Sequence, residues 1–301
     1  MEETMDFDEK PYKVEETNTS GKYKLDLWET AFGLQKTDGL SPSEYMVQQA
    51  QKHINGETTY EEIEQSVKQY YSESLGAENS RTEEADLSSL RISQILSEEG
   101  FTLSPVTLKN YHQRLFQGIE SFRFPVGQYR KENITKSEPV LDGKSVEYSS
   151  YTMISDTLTY DFELERDRDY SNLTKHEAAD QAMKFISGVW QVHPFREGNT
   201  RTCAVFMIKY LRNMGFEVDN TPFKKHSKFF RDALVLANAA TTSEYRTDKY
   251  LKFFLDNALF KGQHVLSIPK RNKFEERLEK ARKDKNNFSE KTTQSKKNRS
   301  L

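Results

Sequence analysis

The sequence predicts a mainly α-helical protein, a helical bundle with one β-hairpin flap, preceded by a small helical unit. Three observations carry this prediction. Apolar residues recur at helical spacing over most of the chain. Two capping boxes, Thr59 with Glu62 and Thr174 with Glu177, open helices at fixed points. One stretch, between Arg130 and Tyr148, shifts toward strand alternation and carries the turn dipeptide Asp142-Gly143.

The elements follow in order. Residues 1–20 are polar and acidic and are expected to be flexible. Residues 21–83 form a small helical unit and a linker, the linker being residues 72–83. Within that unit, Ser41-Pro42 reads as an N-cap followed by a first-turn proline, and Gly56 ends the helix so begun. Thr59 and Glu62 open the next helix, through Tyr70. The main domain spans residues 84–262. Its helices fit 84–99, 105–118, 174–191, 200–214, 223–238 and 244–260, with Gly100 and Gly215 as stops. Residues 263–301 form a basic tail, expected to be disordered.

Composition narrows the function classes. The chain is 35% hydrophobic and 30% charged, with a net charge of −3, which argues against a general nucleic-acid binder. Residues 270–301 carry +7 and the remainder −10. The single cysteine, Cys203, excludes an internal disulfide and fits a reducing cytoplasm. No apolar run approaches the roughly 18–20 residues of a membrane span. The acidic start lacks the apolar core of a signal peptide.

The chemistry concentrates in residues 193–201, His-Pro-Phe-Arg-Glu-Gly-Asn-Thr-Arg, a tight turn between two amphipathic helices. The helix that follows offers free backbone N–H groups and partial positive charge to an anion. Gly198 allows close backbone approach, and Asn199 can donate from its side chain. Arg201 sits in the first helical turn, a poor place for a cation unless an anion is bound there. Glu197 is a hard oxygen ligand suited to Mg²⁺ beside phosphates. His193 titrates near neutrality and can serve as general base. Base, metal ligand and anion cradle together suggest attack of a hydroxyl on a nucleotide phosphate.

This loop resembles the Fic motif, His-x-Phe-x-Asp/Glu-Gly-Asn-Gly/Lys-Arg-x-x-Arg. Residues 108–133, with Gly127, Tyr129 and Arg130, are similar to the family's segment before its flap. Residues 229–238 resemble its later helix, so the likeness covers roughly residues 84–260. It implies that His193 deprotonates the target hydroxyl, that Phe195 anchors the loop and that Glu197 holds Mg²⁺. Gly198, Asn199, Thr200 and Arg201 would form the anion hole; Phe195 and Arg196 count with them among the nucleotide-binding residues. Phe230, Arg231 and Asn238 would lie near the nucleoside. The flap, within residues 133–148, would register a target peptide by strand addition. The implied reaction is that of a bacterial protein adenylyltransferase, moving AMP from ATP onto Ser, Thr or Tyr of a protein partner or of the chain itself. No membrane or specific nucleic acid is implied, and homo-oligomerisation is left open.

The chain departs from the motif twice, with Thr200 in place of Gly or Lys and Ala204 in place of the last Arg. That Arg grips the terminal phosphate in the family and pairs with an inhibitory Glu. Residues 28–66 resemble the small helical antitoxin that caps some Fic toxins. Its Ser/Thr-x-x-x-Glu-Gly signature aligns here with Leu34, Asp38 and Gly39. With Asp for Glu and Ala204 for its partner, the unit is expected to dock without inhibiting strongly. Thr200 and Ala204 keep phosphotransfer as an alternative, and an inactive Fic-fold binding module is a second. Blander readings weigh on other residues. Cys203, Trp190 and Phe206 read as core, and His53, His112, His176, His226 and His264 as structural or surface residues. Tyr148, Tyr151 and Tyr160 read as ordinary aromatics before auto-modification sites.

Overall fold

The computed structural model describes residues 14–73 and 80–269, with the side chains of 14–19 and 80 left aside. The expected flexible start up to residue 13, residues 74–79 of the linker and the basic tail from residue 270 lie outside the described residues. The chain divides into two units, Met1–Leu266 and Ser267–Leu301. Among the described residues no helix is long and apolar enough to cross a membrane.

Ten α-helices are found among the described residues: α1 Val14–Gln35, α2 Glu44–Ile54, α3 Tyr60–Glu73, α4 Ser80–Ser97, α5 Pro105–Phe116, α6 Ile154–Arg166, α7 Lys175–Val192, α8 Asn199–Asn213, α9 Thr221–Ala237 and α10 Lys249–Leu259. Both capping boxes form. Thr59 N donates to Glu62 Oε2 at 2.8 Å and Thr174 N to Glu177 Oε2 at 2.8 Å. The N-cap of α2 is Ser43, not Ser41. Its Oγ accepts from Met46 N at 3.0 Å while its own N–H and O–H bond Asp86 on α4. Asp86 therefore fixes the cap from outside, which residue 41 would not reach. Helix α10 opens at Lys249 rather than at residue 244.

Helix α8 is the axis of the molecule: every residue from Asn199 to Leu211 is buried. A helix covered on all sides must be enclosed by other elements, and α4, α5 and α7 supply most of that cover. Phe206 packs edge-on to Phe162 of α6 and to Phe101, and Phe162 to Phe185 of α7. The N-terminal unit is joined into the same body. Helix α1 runs along α4 and α9, burying Leu27, Trp28, Ala31 and Leu34. At its crossing with α9 a Cβ on Gly33 would come within 2.4 Å of Lys224 Cα. Only a glycine lets the two backbones approach this closely. Ser227 Oγ closes the crossing with a 2.5 Å bond to Gly33 O, one residue past His226, where α9 kinks.

Two expectations fail. Helix α6 was not foreseen, although Ile154, Leu158, Phe162 and Glu165 line its buried face. The β-hairpin is not formed: no strand occurs among the described residues. Residues 133–148 do double back, through the 3-10 turn Pro139–Leu141 and the positive φ of Asp142 and Gly143. Glu138 N bonds Lys144 O at 3.1 Å, but Lys136 N turns to the Ser145 side chain at 3.1 Å. Pro139 has no N–H to offer, so the legs do not knit into a ladder.

Candidate active site

The turn between α7 and α8 is held by its own residues. His193 caps α7 in the left-handed region at φ 51°, with its N–H on Trp190 O at 3.0 Å. Asn199 spans the loop, accepting from Phe195 N at 2.9 Å and donating to Phe195 O at 2.8 Å. Its side chain is thus a brace, and one of its two amide N–H groups is used on Phe195 O. Phe195 is fully buried and stacks on His112 at 3.8 Å between centroids. It anchors the loop, as the motif implies, but the cavity described below does not include it among its lining. Gly198, at φ 77°, turns against the Phe116 ring, where a Cβ would meet Cε2 at 2.4 Å.

Two residues whose roles were not foreseen complete the support. Arg130 N donates to Pro194 O at 2.8 Å and Arg130 Nε to His193 O at 2.9 Å. Its two Nη atoms reach Val192 O at 3.2 Å, Glu132 O at 2.7 Å and Ser149 O at 2.5 Å. His112, read as structural or surface, is wholly buried. Its Nδ1 accepts from Gly127 N at 2.9 Å, so Nε2 carries the proton that goes to Glu197 O at 3.0 Å. Burial pulls its pKa down to about 4, which keeps this neutral tautomer. The Gly127-to-Arg130 string was visible in the sequence; what it would brace was not.

The motif turn lines a cavity of about 40 Å³. The motif turn contributes His193, Glu197, Asn199 and Thr200, with Trp190 behind them. The doubled-back loop contributes Lys136, Glu138 and Tyr148, α9 contributes Arg231, and the N-terminal unit Asp38. His193 is 3 % exposed. Its Nδ1 lies 3.3 Å from Trp190 O, and a carbonyl can only accept, so the proton is on Nδ1 and the Nε2 lone pair is free. Nε2 is buried with no hydrogen-bond partner. Burial first, then Lys136, holds the imidazole well below its ordinary pKa, so it is neutral at pH 7. Glu197 is half-buried, with Oε1 accepting from Gly198 N at 3.2 Å and Oε2 3.9 Å from Lys136 Nζ. Thr200 Oγ1 accepts from Trp190 Nε1 at 3.1 Å.

Arg201 departs most from expectation. It was assigned to phosphate, and it is instead 0 % exposed and committed to acids. Nη2 donates to Glu84 Oε1 at 2.5 Å, and Nη1 to Gln35 Oε1 at 3.1 Å and Ser88 Oγ at 3.3 Å. Nε lies 2.7 Å from Asp38 Oδ2, an ion contact out of line for a hydrogen bond. The guanidinium also covers the Phe116 ring at 4.8 Å. Burial opposes its charge, but Asp38 and Glu84 outweigh that and raise its pKa. Asp38 therefore does have an arginine partner, Arg201 rather than residue 204, so the expectation of weak inhibition loses the premise that this ion pair is absent. Gly39 supports this acid by capping the 3-10 turn Lys36–Asp38 at φ 70°, and Leu34 is plain core.

The remaining expected residues scatter. Arg196 points away to Glu132 at 2.8 Å and does not line the cavity. Phe230 is core, against Phe223 and Phe254. Arg231 does reach the cavity, where Nη2 binds both oxygens of buried Glu138 at 3.0 and 2.8 Å. Asn238 donates to Ser187 Oγ at 2.8 Å and opens on a separate cleft of about 570 Å³ between α7, α9 and α10. That cleft is larger, but it contains none of the residues of the 193–201 turn. Among the described residues no group of three His, Cys, Asp or Glu side chains is set to hold a metal. Glu197 is one of three carboxylates that line the cavity, with Asp38 and Glu138, and the one that the motif turn itself carries.

Residues 102–211 match the Fic/DOC family. A probable protein adenylyltransferase of Sinorhizobium fredii is 39% identical over 62 residues, which is 21% of this chain and 31% of that protein. The chain thus spans about a third of the length of that curated relative. Among solved structures, the N-terminal FIC domain of Bep8, a VirB-translocated effector protein of Bartonella sp. 1-1C, is similar over 65% of this chain and 92% of that one, at 19% identity and a TM-score of 0.47. BepC of Bartonella tribocorum, a VirB-translocated effector solved with bound AMPPNP, is similar over 63% and 90%, at 17% identity and a TM-score of 0.47.

Proposed function

With residues 102–211 a Fic/DOC family domain, we propose that the chain is a protein adenylyltransferase that moves AMP from ATP to a hydroxyl side chain. One observation carries this reading. The buried, neutral His193 presents an unpartnered Nε2 to a cavity it shares with Glu197 and the first turn of α8. A buried polar atom left without a partner calls for one, and a substrate hydroxyl supplies it.

In this reading Nε2 takes the proton as the hydroxyl oxygen attacks the α-phosphorus of ATP. The bond to the β-phosphate breaks and pyrophosphate leaves. The first amides of α8, which no helix carbonyl satisfies, face the charge on the transferred phosphate. Asn199 and Arg130 hold the turn so that these groups need not reorganise. Glu197 would hold Mg²⁺, which when bound neutralises phosphate charge. The acceptor is a Ser, Thr or Tyr of another protein or of this chain. A volume of about 40 Å³ is room for little more than a water molecule, so the conformation described is the closed one. Asp38 and Glu138 both line the cavity, each paired with an arginine.

The test incubates the full chain with Mg²⁺ and ATP labelled at the α or the γ phosphate, alone and with cell extract. The expected result is α-label on protein that disappears in His193→Ala. Label from the γ position alone would replace this reading by phosphate transfer. The absence of label from both would sink it.

A further inference from the structure

The position where the motif resemblance places a phosphate-gripping arginine is Ala204, buried in the core. Arg201 is closed off behind Glu84 and Asp38 and does not line the cavity. Arg231 lines it but is held by both oxygens of Glu138 and by Asp232 at 3.3 Å. A triphosphate entering here therefore meets a lining arginine, Arg231, that already has carboxylate partners. Lys136 is different. It extends from the doubled-back loop to the same cavity, and its Nζ meets Glu197 Oε2 at 3.9 Å, beyond hydrogen-bond range. Its side chain keeps 30% exposure, on a long stem that can swing without unmaking a buried pair.

We propose that Lys136 receives the terminal phosphates of the nucleotide, in place of the arginine missing at position 204. The assignment rests on the adenylyltransferase reading and deepens it. Lysine is a sufficient phosphate binder as a point charge, and this one is carried by the doubled-back loop rather than by the motif turn. The α-phosphate then lies against α8 near His193 Nε2, and the pyrophosphate to be released points at the loop. The gripping cation is thus carried by the segment that covers the site.

Isothermal titration of the full chain with AMP, ADP and ATP, each with Mg²⁺, tests this. Lys136→Ala is expected to weaken ATP about tenfold, the value of one charge-assisted contact, and AMP less than about twofold. Lys136→Arg should restore most of the ATP affinity, since it returns the charge. Equal losses for ATP and AMP would overturn the assignment and make Lys136 a neighbour of Glu197 and nothing more. So would a wild-type chain that binds AMP as tightly as ATP, which would leave the proposed function standing. A wild-type chain that bound none of the three would remove both readings together.

Discussion

Arg201 is the residue where position and environment diverge. In sequence it stands in the first turn of a helix, three residues after Gly198, which argues for an anion ligand. In the fold its ligands are Glu84 and Asp38, side chains 117 and 163 positions away in the chain, with Gln35 and Ser88. Arg201→Met should therefore strand two acids in the core and cost about 3 kcal/mol in chemical denaturation. An arginine serving only a bound nucleotide would leave the apo stability unchanged. The loop itself was legible because its parts are contiguous: His193, Glu197 and Gly198 are where the motif puts them. What the sequence could not supply was the partners, because Lys136, Glu138, Arg130 and Asp38 reach the loop through tertiary packing alone. His53 gives a second residue-scale prediction. Trp28 Nε1 donates to His53 Nδ1 at 3.1 Å, which requires that nitrogen unprotonated. Burial, with Lys24, lowers the His53 pKa from 6.5 to about 4. As pH falls below 6.5 the unfolded chain takes up this proton first. The contribution to stability is therefore complete above about 6.5 and is lost as pH falls toward about 4. Denaturation midpoints of His53→Gln should show a flatter dependence than wild type across that window.

At the scale of elements, the close backbone approach of α1 and α9 at Gly33 is a sensitive point. Gly33→Ala would force α1 off α9, since its Cβ meets Lys224 Cα, Lys224 O and Lys224 C within 2.7 Å. Overpacking against backbone costs about 1–3 kcal/mol, and a melting curve of this variant should show it. The sequence did not single out Gly33, because a glycine inside a helix looks like a mere weakness until its neighbour is known. Helix α6 escaped for a related reason. Its segment mixes threonines, a tyrosine and acids and lacks a clear cap, so local signals conflicted. The side on Leu158 and Phe162 settles it only by packing on α7 and α8. The hairpin was over-read from Asp142-Gly143: the turn is real, but a turn dipeptide does not supply paired legs.

At the scale of the molecule, the N-terminal unit and the main domain share one core. Arg91 of α4 joins Glu64 of α3 at 2.8 Å and Leu115 O of α5 at 3.2 Å, and Asp86 joins Tyr71 at 2.7 Å. The unit is therefore a structural part of the same body as the main domain. Closure has two carboxylate fastenings, Asp38 on Arg201 and Glu138 on Arg231. Glu138→Gln should weaken the second without touching a buried network of helices, and α-label incorporation should rise at least about threefold if covering limits turnover. Unchanged incorporation would mean that the loop opens freely as it stands.

Arg130 sets how that opening can happen. One guanidinium holds Glu132 O and Ser149 O, the two feet of the covering loop, and with the same fork holds the carbonyls of Val192 and His193. The feet are pinned to the very backbone that aims the imidazole. Any lifting must then be confined to the span between them, and the base keeps its aim while the roof above it rises.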